Sequence, residues 1–195
     1  MNRLKAFFAN FQSTDVLLDK LRSRNNQEAL DALAILKERK ALKDGTLEQQ
    51  TLREANLKSA TFAMARLQGI DLTGAQLHQT YFYNAHLQQA IFTGADLTGA
   101  NLRAAIIINA TLHGTILRDA NLARVDLTGA TLEGADLRRA NFWQTTLIGV
   151  NLTDANLVDA GMTDVICDET TILPDGSAWT TDVDWARFVG VSSSA

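Results

Sequence analysis

Three histidines, one cysteine and a recurring aspartate are the residues of this sequence that have the chemistry to hold a metal ion or to move a proton. The histidines are His78, His86 and His113, and the cysteine is Cys167. A metal site needs three or four such side chains at one point in space, and a nucleophilic cysteine needs a base beside it. Whether these residues can meet depends on the backbone that carries them.

That backbone is governed by a repeat of five residues. An apolar residue occupies every fifth position from Leu47 to Met162, which makes 24 positions, 18 of them leucine. Two residues earlier, alanine fills 16 of the 23 positions from Gln50 to Ala160, Asn or Asp often stands between the two, and glycine often ends the unit. Five is the period of neither a helix nor a strand, so the apolar series keeps one direction only if the chain turns a corner in every unit. We therefore expect a solenoid whose stacked coils pair their backbone groups with one another.

The unit, Ala followed by Asn or Asp, Leu and two further residues, resembles the pentapeptide repeat proteins. This resemblance implies a mainly β fold, a right-handed quadrilateral β-helix with one pentapeptide on each side, over residues 45–167. Twenty residues to a coil then give about six coils, and the strand spacing of about 4.8 Å gives a length of about 29 Å. The segment CDETTILPDGSAW resembles the LPDGxxW tail that closes many members of the family, notably cyanobacterial ones.

Both ends of a solenoid expose an apolar cross-section and open strand edges, so both need caps. We expect an α-helical N-terminal cap in residues 1–44 and a short C-terminal cap in residues 168–195. Ser13 or Thr14 is suited to begin one helix, and Asn25 with Glu28 has the spacing of a capping box that begins the next. The apolar residues of these two helices are Val16, Leu17, Leu18 and Leu21, then Leu30, Leu33, Ile35 and Leu36.

The C-terminal cap is expected to end in a short helix. Thr181 or Asp182 is suited to begin it. Its apolar residues would be Trp185, Phe188 and Val189.

A coil of 20 residues keeps the candidate chemical groups apart. It places the three histidines on different sides, so no two of them can share a metal ion. Cys167 falls in the inward register, where we expect an inert buried thiol. A carboxylate at a turn-forming position caps the backbone, which accounts for Asp71, Asp96, Asp126 and Asp136. We therefore expect no metal, no cofactor and no enzymatic activity.

Outward positions of such a solenoid form vertical columns, in which large residues stand out. One side carries Tyr81, Tyr83, Arg103, Arg124 and Trp143, and aromatic residues with arginines are the usual anchors of interfaces. The next side carries Ile106, Ile108 and Ile148, and folding does not explain the outward Ile106 and Ile108. The alternative is that aromatic and β-branched residues simply suit a strand surface, on which isolated apolar residues are normal.

A further candidate docking face lies near the N-terminus, where the spacing i, i+3, i+4, i+7 is typical of one side of a helix. The residues with this spacing are Leu4, Phe7, Phe8 and Phe11. Together with Arg3 and Lys5, they would either cap the solenoid or lie on a membrane surface.

Composition limits the remaining classes of function. No run of 18 apolar residues predicts a transmembrane span, and the absence of a signal-peptide pattern favours a cytoplasmic location. A lone cysteine implies no internal disulfide. Residues 1–44 contain nine Lys or Arg against six Asp or Glu, residues 45–162 eight against ten, and residues 163–195 one against six. No block is basic enough to indicate nucleic acid as a partner.

The resemblance and the surface features together predict a non-enzymatic scaffold or assembly factor that binds an unidentified protein, with a homodimer left open. One alternative is the inhibition or protection of DNA gyrase, since some pentapeptide repeat proteins imitate duplex DNA. A mimic about 29 Å long would need around 17 negative charges, whereas ten acids and eight bases nearly cancel here. The other alternative is an adaptor that binds a membrane surface through the N-terminal helix.

Overall fold

The structure is a computed structural model that describes residues 12–190. Helix α1 runs over Thr14–Leu21 and helix α2 over Asn26–Glu38. The Ser13 side chain accepts a hydrogen bond from the Val16 amide at the start of α1. These bounds confirm the two predicted N-terminal helices, whereas the predicted docking residues Leu4, Phe7, Phe8 and Phe11 lie outside the described residues.

The start of α2 differs in one detail from the capping box that its sequence predicts. The Asn25 side chain accepts hydrogen bonds from the amides of Gln27 and Glu28, as expected. The Asn25 amide, however, donates to Ser23 Oγ, and the Ser23 hydroxyl donates to the Glu28 carboxylate. In a capping box the Glu28 carboxylate would accept the Asn25 amide directly. Here the Ser23 hydroxyl lies between the two groups and bonds to both.

Residues 51–166 form the solenoid. Residues 20 apart are joined by parallel β-bridges in an unbroken series from Thr51 and Asp71 to Thr146 and Ile166. Each bridge joins one residue of a coil to one residue of the next coil, and no longer strand occurs in the described part of the chain. The reason is that a turn follows every bridge, which leaves no room for an extended run.

The turn that closes each unit explains its last residue. In the unit around Gly74, the Ala75 amide donates to the Leu72 carbonyl at 3.0 Å, and Gly74 has a φ of 66°. A positive φ at the third residue of a four-residue turn is the requirement of a type II turn, and glycine adopts it without strain. The corner that the five-residue period requires is therefore this turn, repeated.

The core is the stack of apolar residues that the repeat directs inward. Leucine and phenylalanine fill the centre of each side, and alanine lies close to the turns. Phe62 and Phe82 stack with ring centroids 5.3 Å apart, and Phe92 meets Phe82 edge-on at 6.1 Å. Thr145, at a position usually held by alanine, is fully buried and donates its hydroxyl to the Leu122 carbonyl at 2.7 Å.

The N-terminal helices cap the first coil, as predicted. The Asn56 amide donates to the Ser23 carbonyl at 3.0 Å, and the Arg66 amide donates to the Leu42 carbonyl at 2.7 Å. The Asn26 Nδ2 group donates to the carbonyls of Asn56 and Lys58. In later coils, equivalent groups pair with the coil below, so the cap supplies the partners that a preceding coil would have given.

The C-terminal end leaves the 20-residue register and closes on itself. Ile172 bridges to Asn151, which is 21 residues earlier, and then forms an antiparallel bridge with Ala178. Helix α3, Ala186–Val189, packs against the last coil, where the Asp159 amide donates to the Val189 carbonyl at 2.7 Å. Neither Thr181 nor Asp182 caps this helix. The prediction was wrong because α3 begins later, and Asp184 accepts the Ala186 amide instead.

None of the helices within residues 12–190 is long and apolar enough to cross a membrane.

Candidate interaction surface

The structure brings the five predicted aromatic and arginine residues to one side of the solenoid. We call this side the aromatic face and define it by Tyr81, Tyr83, Arg103, Arg124 and Trp143. The Asn84 amide donates to the Arg103 carbonyl at 3.1 Å, and the Arg124 amide donates to the Trp143 carbonyl at 2.8 Å, which places the residues on successive coils. Tyr83 and Trp143 are three coils apart, or about 14 Å.

Side chains on the aromatic face differ in their exposure. Tyr81 is 52% exposed and Tyr83 is 39% exposed, and Arg103 is also exposed. Trp143 is half-buried because Arg124 lies over it, with Cζ 4.8 Å from the centre of the ring. Arg124 also donates from Nε to Gln144 Oε1 at 3.1 Å. These two contacts hold the guanidinium and the indole in a fixed arrangement at the surface.

One residue of this surface was missed in the sequence. Met64 is 50% exposed, and its amide donates to the Tyr83 carbonyl at 2.8 Å, so it lies one coil before Tyr83. A methionine at the last position of a unit, where glycine or a polar residue is usual, was the signal for it. The other large apolar residues that are exposed in the described chain lie elsewhere: Val16, Ile91, Val158, Ile166 and Ile172.

The three predicted isoleucines form a less exposed surface on the next side. Ile106 bridges to His86 and to Asp126, which places it in the middle of that side. Ile106, Ile108 and Ile148 are all half-buried rather than exposed. Much of their apolar surface is therefore covered by neighbouring coils, and this side is the weaker candidate for a docking surface.

The repeated aspartates cap the turns, as predicted. Asp71 Oδ1 accepts the Thr73 amide at 3.0 Å and the Thr73 hydroxyl at 2.6 Å, and Asp96 and Asp126 do the same with the threonines that follow them. Burial opposes ionisation of Asp71, but the hydrogen bonds from Thr73 and Arg53 outweigh it and hold the pKa of the carboxyl below its ordinary value. These carboxylates therefore accept hydrogen bonds from the turns that they stabilise.

Asp136 combines this role with an ion pair. Its carboxylate accepts hydrogen bonds from the Arg138 guanidinium at 2.9 Å and from Arg118 on the preceding coil. The bond from Arg138 is the main reason that the pKa of Asp136 is lowered to about 2. Asp136 is therefore ionised at neutral pH and joins two coils.

Cys167 differs in part from the prediction. It is half-buried instead of fully enclosed, because the chain leaves the register directly after it. Burial raises the pKa of its thiol to about 11, so the thiol is protonated at neutral pH and is a poor nucleophile. Its inertness therefore comes from partial burial.

The histidines remain separate within the described chain. His78 Nε2 pairs with Asp96 Oδ2 at 2.9 Å, on another side of the solenoid from His86. No group of three or more His, Cys, Asp or Glu in residues 12–190 could hold a metal ion.

A groove of about 500 Å³ runs along one edge of the aromatic face. Tyr81 forms one wall, and Gly99, which has no side chain, leaves the floor open beside Gln79. Asn101 and Asn121 also line it. The Oδ1 atoms of these two residues accept backbone amides of Arg103 and Ala123, which leaves their Nδ2 groups as donors beside the hydroxyl of Ser59 and the side-chain amide of Gln79.

The repeat defines the family. A family model described as pentapeptide repeats matches in eight copies, at residues 46–74, 52–89, 70–107, 80–119, 105–144 and 135–166. The chain belongs to the pentapeptide repeat family. Members of this family form right-handed β-helices, in agreement with the parallel bridges of the solenoid.

Solved pentapeptide repeat proteins are similar to the chain at low identity. HetL, involved in heterocyst differentiation regulation in the cyanobacterium Nostoc sp. strain PCC 7120, is 24% identical, with a TM-score of 0.39 over 75% of this chain and 98% of HetL. QnrB1, a plasmid-mediated fluoroquinolone resistance protein, is 18% identical, with a TM-score of 0.33 over 63% of this chain and 84% of QnrB1.

A third solved structure is a pentapeptide repeat protein from the thylakoid lumen of Arabidopsis thaliana. It is 31% identical, with a TM-score of 0.18 over 63% of this chain and 74% of that protein. The chain matches no curated protein.

Proposed function

We propose that this pentapeptide repeat protein is a non-enzymatic scaffold that binds a protein partner through the aromatic face. The observation that carries the proposal is the exposure of Tyr81 and Tyr83 on the same side of the solenoid as the Arg124–Trp143 pair. None of these side chains fills the core, and exposed aromatic residues with arginine are the usual anchors of protein interfaces. Proteins of the family are generally non-enzymatic interaction proteins, which agrees with this role.

Rigidity of the backbone under this surface favours the same function. Each coil pairs with its neighbours through the backbone, and this holds the anchors at fixed separations. A surface that is ordered before binding loses little conformational entropy when a partner docks. We take the solenoid to be four-sided, with about six coils over residues 45–167, between caps in residues 1–44 and 168–195.

The alternatives have less support. In the solenoid, Asp71, Asp119 and Asp136 are paired with arginines, so these acids do not present the continuous negative charge of a DNA mimic. An adaptor role at a membrane depends on Leu4, Phe7, Phe8 and Phe11 and stays a prediction. Homodimer formation and a cytoplasmic location also stay predictions.

Affinity capture from a lysate of the source cells, read out by mass spectrometry, tests the proposal. We expect a partner that wild-type protein retains and that the variant Tyr81→Ser, Tyr83→Ser, Trp143→Ser loses. The double variant Tyr81→Ser, Tyr83→Ser serves if loss of the half-buried Trp143 disturbs the fold, and circular dichroism checks folding.

A variant of the isoleucine side is the matched control. Ile106→Ser, Ile108→Ser, Ile148→Ser changes the same number of apolar residues on the neighbouring side, and it should still capture the partner. Equal capture by wild type and the aromatic-face variants, or no specific partner at all, would contradict the proposal.

A further inference from the structure

The arginines of the solenoid are unevenly paired. Residues 45–167 contain seven arginines. Two of them, Arg103 and Arg124, form no salt bridge with any residue of the described chain, and both lie on the aromatic face. The other five each pair with an aspartate or a glutamate: Arg53, Arg66, Arg118, Arg138 and Arg139.

Carboxylates are nearly missing from the aromatic face. Within residues 51–166, the columns above and below its residues contain amides, threonine, alanine, glycine and Met64, and their only acid is Asp164 at the C-terminal end. Asp164 stands two coils beyond Arg124, a distance of about 10 Å. The two guanidinium groups therefore make the face locally positive on a protein whose net charge is −4.

The groove beside the arginines adds further donors and no acid. Asn101 and Asn121 offer their Nδ2 groups there, and the Tyr81 ring forms its wall. Guanidinium and amide N–H groups donate and do not accept, so the complementary ligand is rich in oxygen acceptors. A carboxylate is the protein group that best satisfies them, because hydrogen bonds between charged groups are the stronger ones.

We propose that the aromatic face binds an extended acidic segment of a protein partner, with its carboxylates on Arg103, Arg124 and the groove amides. This inference rests on the proposed scaffold function and names the chemistry of the partner. Alternate side chains of an extended segment lie on one side, about 7 Å apart. Arg103 and Arg124 lie on adjacent coils about 4.8 Å apart, and their long side chains can reach two carboxylates with that separation. Tyr81, Tyr83 and Met64 would contact the apolar parts of the same segment.

Two other acidic occupants fit the molecule less well. A nucleic acid carries a phosphate at every nucleotide, whereas only two arginines of the face lack a salt bridge within residues 12–190, and the six acids of residues 163–195 would repel a polyanion. The acidic C-terminal segment of a second copy is already engaged with its own solenoid, where the Ile172 amide donates to the Val150 carbonyl at 2.8 Å.

Selection from a random library of twelve-residue peptides tests the inference. The library is panned in parallel on wild-type protein and on Arg103→Gln, Arg124→Gln. We expect enrichment on wild type of peptides that carry two or more Asp or Glu and no excess of Lys or Arg. Fluorescence polarisation of the best labelled peptide should then give a dissociation constant that rises at least tenfold in the double variant.

A second pair of arginines provides the matched control. Arg138→Gln, Arg139→Gln removes the same charge from another side, so it should change the dissociation constant less than twofold. Replacing Asp and Glu of the peptide by Asn and Gln should abolish binding, and raising the salt concentration should weaken it.

The remaining outcomes overturn the inference in distinguishable ways. Neutral or basic peptides that still require Tyr81 and Tyr83 would leave the scaffold function standing and remove the acidic partner. Tighter binding of a labelled twelve-nucleotide oligothymidylate through the same arginines would indicate nucleic acid. Tighter binding of a synthetic peptide of residues 163–190 would indicate a second copy. Peptides that bind the aromatic-face serine variants equally well would contradict the proposed function itself.

Discussion

At the scale of single residues, one side chain often does two tasks in this protein. Asp71 occupies a bridge position and also caps the turn that follows, by accepting the amide and the hydroxyl of Thr73. Asp136 does the same for its turn and in addition binds arginines from two coils. The short side chain of aspartate suits it to bond a backbone group two residues on, which explains its recurrence in the repeat.

The lowered pKa of Asp136 predicts an acid dependence of stability. Its folded value of about 2 lies below the unfolded value of about 3.9, so its contribution is complete above about pH 4 and is lost as the pH falls toward 2. We expect Asp136→Asn to lower the free energy of unfolding by about 1–2 kcal/mol at pH 7, and to flatten the loss between pH 4 and 2. Urea denaturation followed by circular dichroism across this range measures both effects.

Asp126→Asn is the control for the turn itself. Asp126 caps Thr128 in the same way but forms no ion pair within residues 12–190, and asparagine retains an oxygen that accepts the Thr128 amide. This variant should change the free energy of unfolding by less than about 0.5 kcal/mol. Equal losses in the two variants would show that the arginines of Asp136 add nothing.

At the scale of elements, the N-terminal helices act as a replacement for a coil. Ser23 and Leu42 accept amides of the first coil through their carbonyls, and Asn26 donates to two carbonyls of it. The helices thus close a strand edge that would otherwise present unpaired N–H and C=O groups. Their apolar residues, which include Leu21 and Leu36, continue the core of the solenoid without a break.

Substitutions at Asn26 and Asn25 distinguish the pairing of the first coil, which we call the sealing role, from the capping of α2. Asn26→Asp turns an amide donor into an acceptor that faces two carbonyls, so we expect the free energy of unfolding to fall by about 1–3 kcal/mol. A carboxylate in the first turn of a helix is otherwise favourable, so the loss cannot come from α2 itself. Chemical denaturation at pH 7 measures the difference.

Asn25→Asp provides the comparison, since aspartate and asparagine are equally good N-caps. It should leave the free energy of unfolding within about 0.5 kcal/mol of wild type. A similar loss in both variants would refute the sealing role of Asn26.

At the scale of the whole molecule, stability is a sum over neighbouring coils, and the two ends are the vulnerable points. The C-terminal segment covers the last coil through the hydrogen bond from Asp159 to Val189 and through the half-buried Trp185 and Phe188. The same segment is acidic, with six Asp or Glu against one Arg in residues 163–195. One of these acids, Asp164, stands at the C-terminal end of the positive aromatic face, and the other five follow the solenoid in the sequence.

Removal of residues 184–195 should expose the last coil. We expect the midpoint of thermal unfolding to fall by about 5 °C or more, and the sedimentation coefficient to rise with concentration as open edges pair. Removal of residues 191–195 alone, which follow α3 in the sequence and whose loss leaves α3 intact, should have neither effect. An unchanged midpoint after the longer deletion would show that α3 is not needed as a cap.

Local pattern sufficed for much of this structure. The five-residue period predicted the solenoid, the inward leucines and the capping aspartates, because each depends on residues within one unit or on its exact repetition. The side that carries Tyr81, Tyr83 and Trp143 also followed from the period, since residues 20 apart share a column.

Tertiary structure decided what depends on contacts between units of unlike sequence. The relay through Ser23, the late start of α3 and the incomplete burial of Cys167 arise where the repeat meets its ends, and no period extends there. The pairing of arginines was equally hidden, because a column gives the neighbours of Arg103 and Arg124 but not the reach of their side chains. Only the folded chain shows that these two guanidinium groups form no salt bridge with a carboxylate of residues 12–190. Both groups lie on the same side as the exposed tyrosines.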